Sequence, residues 1–152
     1  MRVVFVLGEA NLSGGVRIVA EHGRLLHERG HTVTVVCYAP RATPISRRLL
    51  ARLRGRPMKV RTGKSHLDNV PFEVRRIPQG QRLTREMLPD SDLLVATWWE
   101  TAEWIANMPP EKGVKVNFLQ HYEAHPWLPA DRVDAVWRMP MHKIVVSNWL
   151  AD

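Results

Sequence analysis

The chain has 152 residues, of which 45% are hydrophobic, and it carries a formal net charge of +7. This length accommodates one domain with a buried core but not two large domains. No segment approaches the roughly 20 apolar residues that cross a membrane, so we expect any membrane contact to be peripheral. The single cysteine, Cys37, excludes an internal disulfide framework and favours a reducing compartment such as the cytoplasm.

The first part of the chain predicts a strand, a helix and a second strand. Residues 3–7 are a continuous apolar run, typical of a strand buried on both faces of a parallel sheet. Apolar residues then recur at helical spacing from Val16 to Leu26, and Gly30 ends this helix. The β-branched run at residues 32–37 follows at once and completes a βαβ unit.

The remaining segments continue this alternation. Further strands are expected at residues 72–77, 92–97, 114–119 and 143–146. Helices are expected at residues 45–53, 100–107 and 131–139, with one or two helical turns at 83–88. The pattern predicts an α/β fold built on a doubly wound, parallel, Rossmann-like sheet.

The end of the sequence predicts a second domain. Ser147 is a good N-cap, but residues 148–152 leave room for little more than one helical turn. A helix this short is marginal without a packing partner. We therefore expect residues 1–147 to form the Rossmann-like domain and residues 148–152 to lead into a domain beyond this sequence.

Ligands of open parallel sheets bind beyond the carboxyl ends of the strands, so the loops that follow the strands are the candidate site. These loops are residues 8–15, 97–100, 120–123 and 147–149. They carry glycines, polar side chains and aromatic rings, which we expect to converge on one edge of the sheet.

The paired glycines Gly14 and Gly15 precede the first predicted helix. They let the backbone approach a ligand and present free N–H groups and the positive helix end to an anion such as phosphate. The alternative is a tight turn without a ligand. No Gly-x-Gly-x-x-Gly or P-loop sequence is present, which disfavours a dinucleotide dehydrogenase or a P-loop enzyme.

Several motifs resemble glycosyltransferase family 4. The opening of that family is similar to Asn-Leu-Ser-Gly-Gly-Val-Arg at residues 11–17, followed by Leu-His-Glu-Arg-Gly-His at 26–31 and the strand at 32–35. Phe-Leu-Gln-His-Tyr-Glu at 118–123 and Ile-Val-Val-Ser-Asn-Trp-Leu at 144–150 resemble later landmarks of its N-terminal domain. The resemblance covers nearly the whole chain.

The resemblance implies a retaining, metal-independent transfer of a sugar from a nucleotide-sugar to an acceptor, which is a glycan or a lipid-linked sugar. Such enzymes have the GT-B architecture, in which two Rossmann-like domains enclose a cleft. This chain would be the N-terminal, acceptor-side half, and it would be inactive without the donor-binding half. The nucleotide-sugar is a substrate, and no cofactor is implied.

The same resemblance assigns roles to individual residues. Gly14 and Gly15 would lie against the donor diphosphate, and His121 would be catalytic, beside the transferred sugar. Glu123, Ser147 and Asn148 would line the acceptor pocket. Apart from the resemblance, we expect Asn11 and Trp98 to contact the acceptor as well. The Gln-His-Tyr-Glu sequence at residues 120–123 departs from the His-Asp pairing that is commoner in the family.

Aromatic and imidazole groups in these loops admit other roles. Trp98 and Trp99 are candidates for stacking on a sugar, although one of them is expected to be structural, as is Trp104. The alternative role for His121 is structural, as a buried side chain that hydrogen-bonds to a backbone carbonyl. A metal site formed by His121, Glu123 and His125 is disfavoured, because their spacing suits no standard zinc motif.

Residues 41–64 carry nine Arg or Lys side chains and no acidic residue. Apolar residues occupy one helical face of residues 45–53, as in helices that lie on anionic membranes. The arginines of this patch are Arg47, Arg48, Arg52, Arg54 and Arg56.

Three interpretations remain open for this segment. It is either a peripheral module at the inner face of the membrane, or another polyanion-binding surface, or else a solvated face on a core-packed helix with a basic loop. Members of the resembled family that work at membranes use similar patches to reach lipid-linked acceptors. Nucleic acid is disfavoured as a partner of this segment, because no nucleic-acid motif accompanies the charge.

A different α/β enzyme, complete in itself, is a further alternative to the glycosyltransferase function.

Overall fold

The computed structural model describes residues 1–41, 43–55, 63–123 and 125–151. Its six strands are β1 Arg2–Glu9, β2 Thr32–Tyr38, β3 Glu73–Ile77, β4 Leu93–Ala96, β5 Val114–Leu119 and β6 His142–Val145. Its four α-helices are α1 Gly14–Glu28, α2 Ile45–Leu53, α3 Trp99–Ala106 and α4 Ala130–Arg138. Short 3₁₀ turns lie at Arg85–Met87, Pro110–Lys112 and Asn148–Leu150.

The strands form one sheet in the order β3-β2-β1-β4-β5-β6, and each neighbouring pair is parallel. The chain moves outward from β1 to β3, returns to the centre at β4, and then moves outward in the other direction. This order and the flanking helices confirm the predicted doubly wound, Rossmann-like α/β fold. The crevice between β1 and β4, where the strand order reverses, is the position at which such sheets bind ligands.

Strand β1 separates two hydrophobic cores. Val3, Phe5 and Leu7 face the core that α1 covers. Val4 and Val6 face the opposite core, which α3 and α4 cover. Successive side chains of a strand point to opposite faces of its sheet, so burial on both sides requires an uninterrupted apolar run. This requirement explains the sequence of residues 3–7.

Most predicted boundaries differ from the structure by one or two residues, and the first and last predicted helices show the physical reasons. The first helix begins at Gly14, because the Ser13 side chain accepts a hydrogen bond from Val16 N and caps the helix before the glycines. The last predicted helix is a 3₁₀ turn, Asn148–Leu150, in which Leu150 is buried and Trp149 is 64% exposed. Asp152 lies outside the described residues.

Helix α2 is the only α-helix of the described chain that has no buried residue. Ile45, Leu49 and Leu53 are 80%, 59% and 76% exposed. The alternative of a core-packed helix is therefore wrong, because its apolar face contacts neither core. In the described part of the chain, no helix has the length and apolar content required to cross a bilayer.

The packing of α1 on the sheet predicts the effect of Gly23→Ala. A Cβ atom at Gly23 would lie 2.6 Å from Cζ of Phe72, so the ring must shift. Alanine at an interior helix position is favoured over glycine by about 1 kcal/mol. We expect this clash to outweigh the gain and to lower the free energy of unfolding by about 1–2 kcal/mol in urea denaturation.

Gly14→Ala is the matched control, because nothing lies within 4 Å of a Cβ atom there. The double variant Gly23→Ala/Phe72→Leu removes the ring and should show less than additive destabilisation. Stabilisation by Gly23→Ala alone would contradict the close contact between α1 and Phe72.

Candidate functional site

A cleft of about 690 Å³ opens at the carboxyl edge of the sheet, beyond β1, β4 and β5. Its lining includes Asn11, Gly14, Gly15, Trp98, Glu100, Gln120 and His121. Loops that are more than 100 residues apart in sequence meet here, because parallel strands end at a common edge. The predicted convergence of the strand-end loops is confirmed for the loops after β1, β4 and β5.

The loop after β1 is held by its own side chains. Ser13 N donates to Oδ1 of Asn11 at 2.8 Å, which forms a local Asx turn. Gly14 and Gly15 are then the first two residues of α1, so the helix dipole and the N–H groups of the first turn lie beside the cleft. The geometry is that of an anion-binding helix start.

The loops after β1 and β5 touch each other at Gly15. The Gln120 side-chain amide lies 3.5 Å from the Gly15 carbonyl oxygen, and Oε1 of Gln120 would lie 3.3 Å from a Cβ atom at position 15. That distance is tighter than ordinary side-chain packing. Gly15 therefore allows the turn at residues 120–123 to approach the helix start closely.

The turn between β4 and α3 is fixed by Thr101, which is fully buried. Its hydroxyl accepts hydrogen bonds from Thr97 N and Trp98 N, each at 3.0 Å, and donates to Trp98 O at 2.7 Å. Trp98 is half-buried and lines the cleft, whereas Trp99 is 5% exposed and belongs to the core. One tryptophan of the pair is thus structural, as expected, and Trp104 also packs against the core.

His121 lines the cleft and belongs to a row of rings. Its ring centroid lies 5.9 Å from that of Trp98 and 5.5 Å from that of His125. His125 in turn stacks on Trp127 at 4.6 Å. Partial burial and the nearby His125 lower the pKa of His121 below its usual 6.5, which favours the neutral imidazole.

Glu123 does not lie where an acceptor ligand was predicted. Its side chain is 3% exposed and is absent from the cleft lining, and Oε2 accepts a hydrogen bond from Trp99 N at 2.8 Å. Burial raises the pKa of the Glu123 carboxyl from 4.5 to about 7, although the Trp99 hydrogen bond opposes this effect. The residue therefore ties the loop after β5 to the start of α3 instead of contacting an acceptor.

Ser147 and Asn148 follow β6, at the same edge of the sheet, but they do not line the cleft. Val146, one residue earlier, is the part of this loop that reaches it. The Ser147 hydroxyl oxygen is buried and has no hydrogen-bond partner within the described ranges. Their predicted contact with an acceptor stays a prediction.

A second cavity of about 520 Å³ adjoins the first and shares Gly8, Glu9 and Glu100 with it. Its other lining residues include Tyr38, Arg41, Gln79, Arg82 and Trp104. Arg41 Nε lies 3.0 Å from Gln79 Oε1 and 3.6 Å from Glu9 Oε2, which fixes the guanidinium against the wall. The two cavities are therefore contiguous along the carboxyl edge of the sheet.

Three residues that line the cavities were not selected as site residues from the sequence: Glu100, Gln79 and Arg82. Glu100 belongs to a strand-end loop that the sequence already marks. Gln79 and Arg82 lie after β3, on a turn with Gly80 at a φ of +82°, and the irregular pattern of this segment gave no motif. Position at the end of a parallel strand is the signal that would have found them.

The basic segment lies near the same edge, because α2 follows the carboxyl end of β2. Arg47, Arg48, Arg52 and Arg54 are exposed on or just beyond α2. Arg56 lies outside the described residues. The arginines surround a helix whose apolar face is also exposed, which is the amphipathic arrangement predicted from the sequence.

Of the three residues considered as metal ligands, Glu123 is buried and its Oε2 accepts a hydrogen bond from Trp99 N. Among the residues that the structure describes, no cluster of three or more His, Cys, Asp or Glu side chains has the geometry to hold a metal ion.

The fold and the cleft together define a Rossmann-like α/β domain with its candidate ligand site at the carboxyl edge of β1, β4 and β5. Comparison of the sequence with models of known protein families and with curated proteins gives no match.

The environment of Glu123 predicts how stability depends on pH. Its pKa is raised in the folded chain, so its contribution is fully present below pH 4.5 and is lost as the pH rises through about 7. Glu123→Gln keeps an oxygen that can accept from Trp99 N and removes the titration. Relative to the unmodified chain, we expect this variant to gain about 2–3 kcal/mol of unfolding free energy between pH 4.5 and pH 8.

Urea denaturation at a series of pH values, with a chelator present, measures this gain. The control variant is Glu28→Gln, which removes an exposed carboxyl and leaves the Trp99 contact intact. A difference between Glu123→Gln and the unmodified chain that does not change with pH would contradict the burial of a titrating carboxyl.

Proposed function

We propose that this chain is the acceptor-side, N-terminal domain of a retaining glycosyltransferase of the GT-B type, similar to glycosyltransferase family 4. The observation that carries the proposal is the meeting of the Gly14–Gly15 helix start and the Gln120–His121 turn in one cleft. Sugar transfer requires a site for the donor diphosphate next to a site for the acceptor. The helix start offers groups suited to the diphosphate, and the turn offers groups suited to the acceptor.

The helix start suits the donor diphosphate. The first turn of α1 has backbone N–H groups without partners in the helix and carries the positive end of its dipole, both of which favour a phosphate. Gly14 has no heavy atom within 4 Å of a Cβ position, so the backbone is accessible from the cleft. The nucleotide and the remaining phosphate contacts would come from a second domain.

The opposite wall suits a sugar acceptor. Trp98 supplies an aromatic surface that can pack on the C–H face of a pyranose ring. The lowered pKa of His121 favours its neutral form, which can donate a hydrogen bond to a hydroxyl group or accept one from it. In the transfer, His121 would contact the transferred sugar and the acceptor, and Asn11 would lie at the edge of the acceptor site.

Acceptor binding tests this proposal on the chain itself. Hexose methyl glycosides, hexose 1-phosphates and short-chain lipid-linked sugars are titrated into the ¹⁵N-labelled chain. We expect at least one of these classes to shift the amides of Gly14, Gly15, Trp98 and His121. His121→Ala should weaken that binding about tenfold, the effect of one lost hydrogen bond of about 1.4 kcal/mol.

His27→Ala is the control, because His27 is exposed near the end of α1, at the amino edge of the sheet. It should bind as the unmodified chain does. Two results would contradict the proposal: no acceptor class shifts the cleft amides, or the chain alone transfers sugar from a nucleotide-sugar, which would leave no need for a second domain.

A second function is favoured by the exposure of α2. We propose that this helix binds anionic membrane surfaces, at the cytoplasmic face, and brings the cleft to lipid-linked acceptors. Its three most exposed apolar side chains, Ile45, Leu49 and Leu53, and its arginines suit insertion at the boundary of acyl chains and anionic headgroups. The helix follows β2, whose carboxyl end lies at the same edge of the sheet as the cleft.

Vesicle binding tests the membrane proposal. The chain should bind phosphatidylglycerol vesicles, bind phosphatidylcholine vesicles weakly, and dissociate as salt is raised. Each basic residue near an anionic surface contributes about 1 kcal/mol, so Arg47→Gln/Arg48→Gln/Arg52→Gln should weaken binding about 100-fold. Co-sedimentation measures both quantities.

Two further variants make this test specific. Ile45→Ser/Leu49→Ser/Leu53→Ser should also weaken binding while leaving the fold intact, because these side chains contact neither core. Arg29→Gln/Arg85→Gln/Arg138→Gln removes the same charge elsewhere and should have a much smaller effect. An equal loss of vesicle binding in both arginine variants would overturn the role of α2. Binding that does not depend on the charge of the lipid would overturn it as well.

A further inference from the structure

The imidazole rings of His121 and His125 face each other at the rim of the cleft. Their Nε2 atoms are 3.4 Å apart, while their ring centroids are 5.5 Å apart. The nitrogens are thus much closer than the centroids, so each ring turns its Nε2 edge toward the other. Both side chains are accessible to solvent.

The nitrogen separation of 3.4 Å is that of a long hydrogen bond between the two rings, and it also suits shared ligation of one ion. Two imidazole nitrogens at about 2.0–2.1 Å from a tetrahedral zinc ion are roughly 3.4 Å apart. The rings are therefore at the spacing that one such ion between them requires.

The surroundings hold the His125 ring and its loop in place. His125 stacks on Trp127 with an interplanar angle of 4°, and its backbone N–H donates to Glu123 O at 3.0 Å. Leu128 N in turn donates to His125 O at 2.9 Å. The Glu123 carboxylate anchors the same loop to Trp99, so it is occupied and does not complete a three-ligand site.

We propose that His121 and His125 form a two-imidazole site for a divalent transition metal, with Zn²⁺ as the ion that fits best and with water in the remaining positions. Imidazole nitrogen favours zinc over magnesium or calcium, which prefer oxygen ligands. The proposal goes beyond the proposed function, because the resembled family transfers sugars without metal. Ligation takes up the Nε2 lone pair of His121, so bound metal would inhibit any reaction that uses this residue.

Isothermal titration of the chelator-treated chain with ZnCl₂ tests the site. We expect one ion per chain, and at least tenfold weaker binding after either His121→Ala or His125→Gln. His27→Ala should leave this binding unchanged, and MgCl₂ should give no heat of binding. Circular dichroism checks that each variant is folded.

Cobalt provides a second readout that does not depend on affinity. Co²⁺ in the site should give the intense visible absorption of four-coordinate cobalt in the unmodified chain and in His27→Ala, but not in His125→Gln. Zinc binding that persists in both site variants would place the ion elsewhere, and absence of binding at millimolar ZnCl₂ would also overturn the proposal. Both results are independent of sugar binding, so they leave the proposed glycosyltransferase function intact.

Discussion

The parallel alignment of β1, β4 and β5 is the constraint on which the candidate site depends. Phe5 of β1 is in register with Val95 of β4, which is in register with Val116 of β5. Three strands that run side by side in one direction must release their following loops at one edge. The helix start at Gly14, the turn at Trp98 and the turn at His121 are therefore neighbours, although they are distant in sequence.

Each of these loops is then braced by interactions that the sheet does not provide. Thr101 closes the turn after β4, and Glu123 ties the loop after β5 to the start of α3. Gly15 lets Gln120 approach the first turn of α1. These braces fix Trp98 and His121 on one wall of the cleft and leave the N–H groups of α1 on another. A rigid arrangement of this kind spares a ligand the entropic cost of ordering the loops.

The sequence predicted the fold well because its signals are local. Strand β1 is buried on both faces and must be apolar throughout, and α2 occupies the predicted residues 45–53. The candidate site was predicted only in part. The ends of the predicted strands show which loops form it, but they do not show which way the side chains of those loops point. Glu123 turns inward to Trp99 N, and the facing of His121 and His125 depends on tertiary packing that no spacing rule reveals. The cavity around Arg82 was missed because the segment after β3 has no periodic pattern.

The candidate site requires the loops after β1 and β5 to be in contact at one edge of the sheet. Nuclear Overhauser spectroscopy of the labelled chain measures this contact directly, between the α-protons of Gly15 and the side-chain amide protons of Gln120. We expect cross-peaks between these groups, since Gln120 Nε2 lies 3.5 Å from the Gly15 carbonyl oxygen. Assigned resonances for both residues without any such cross-peak would contradict this contact.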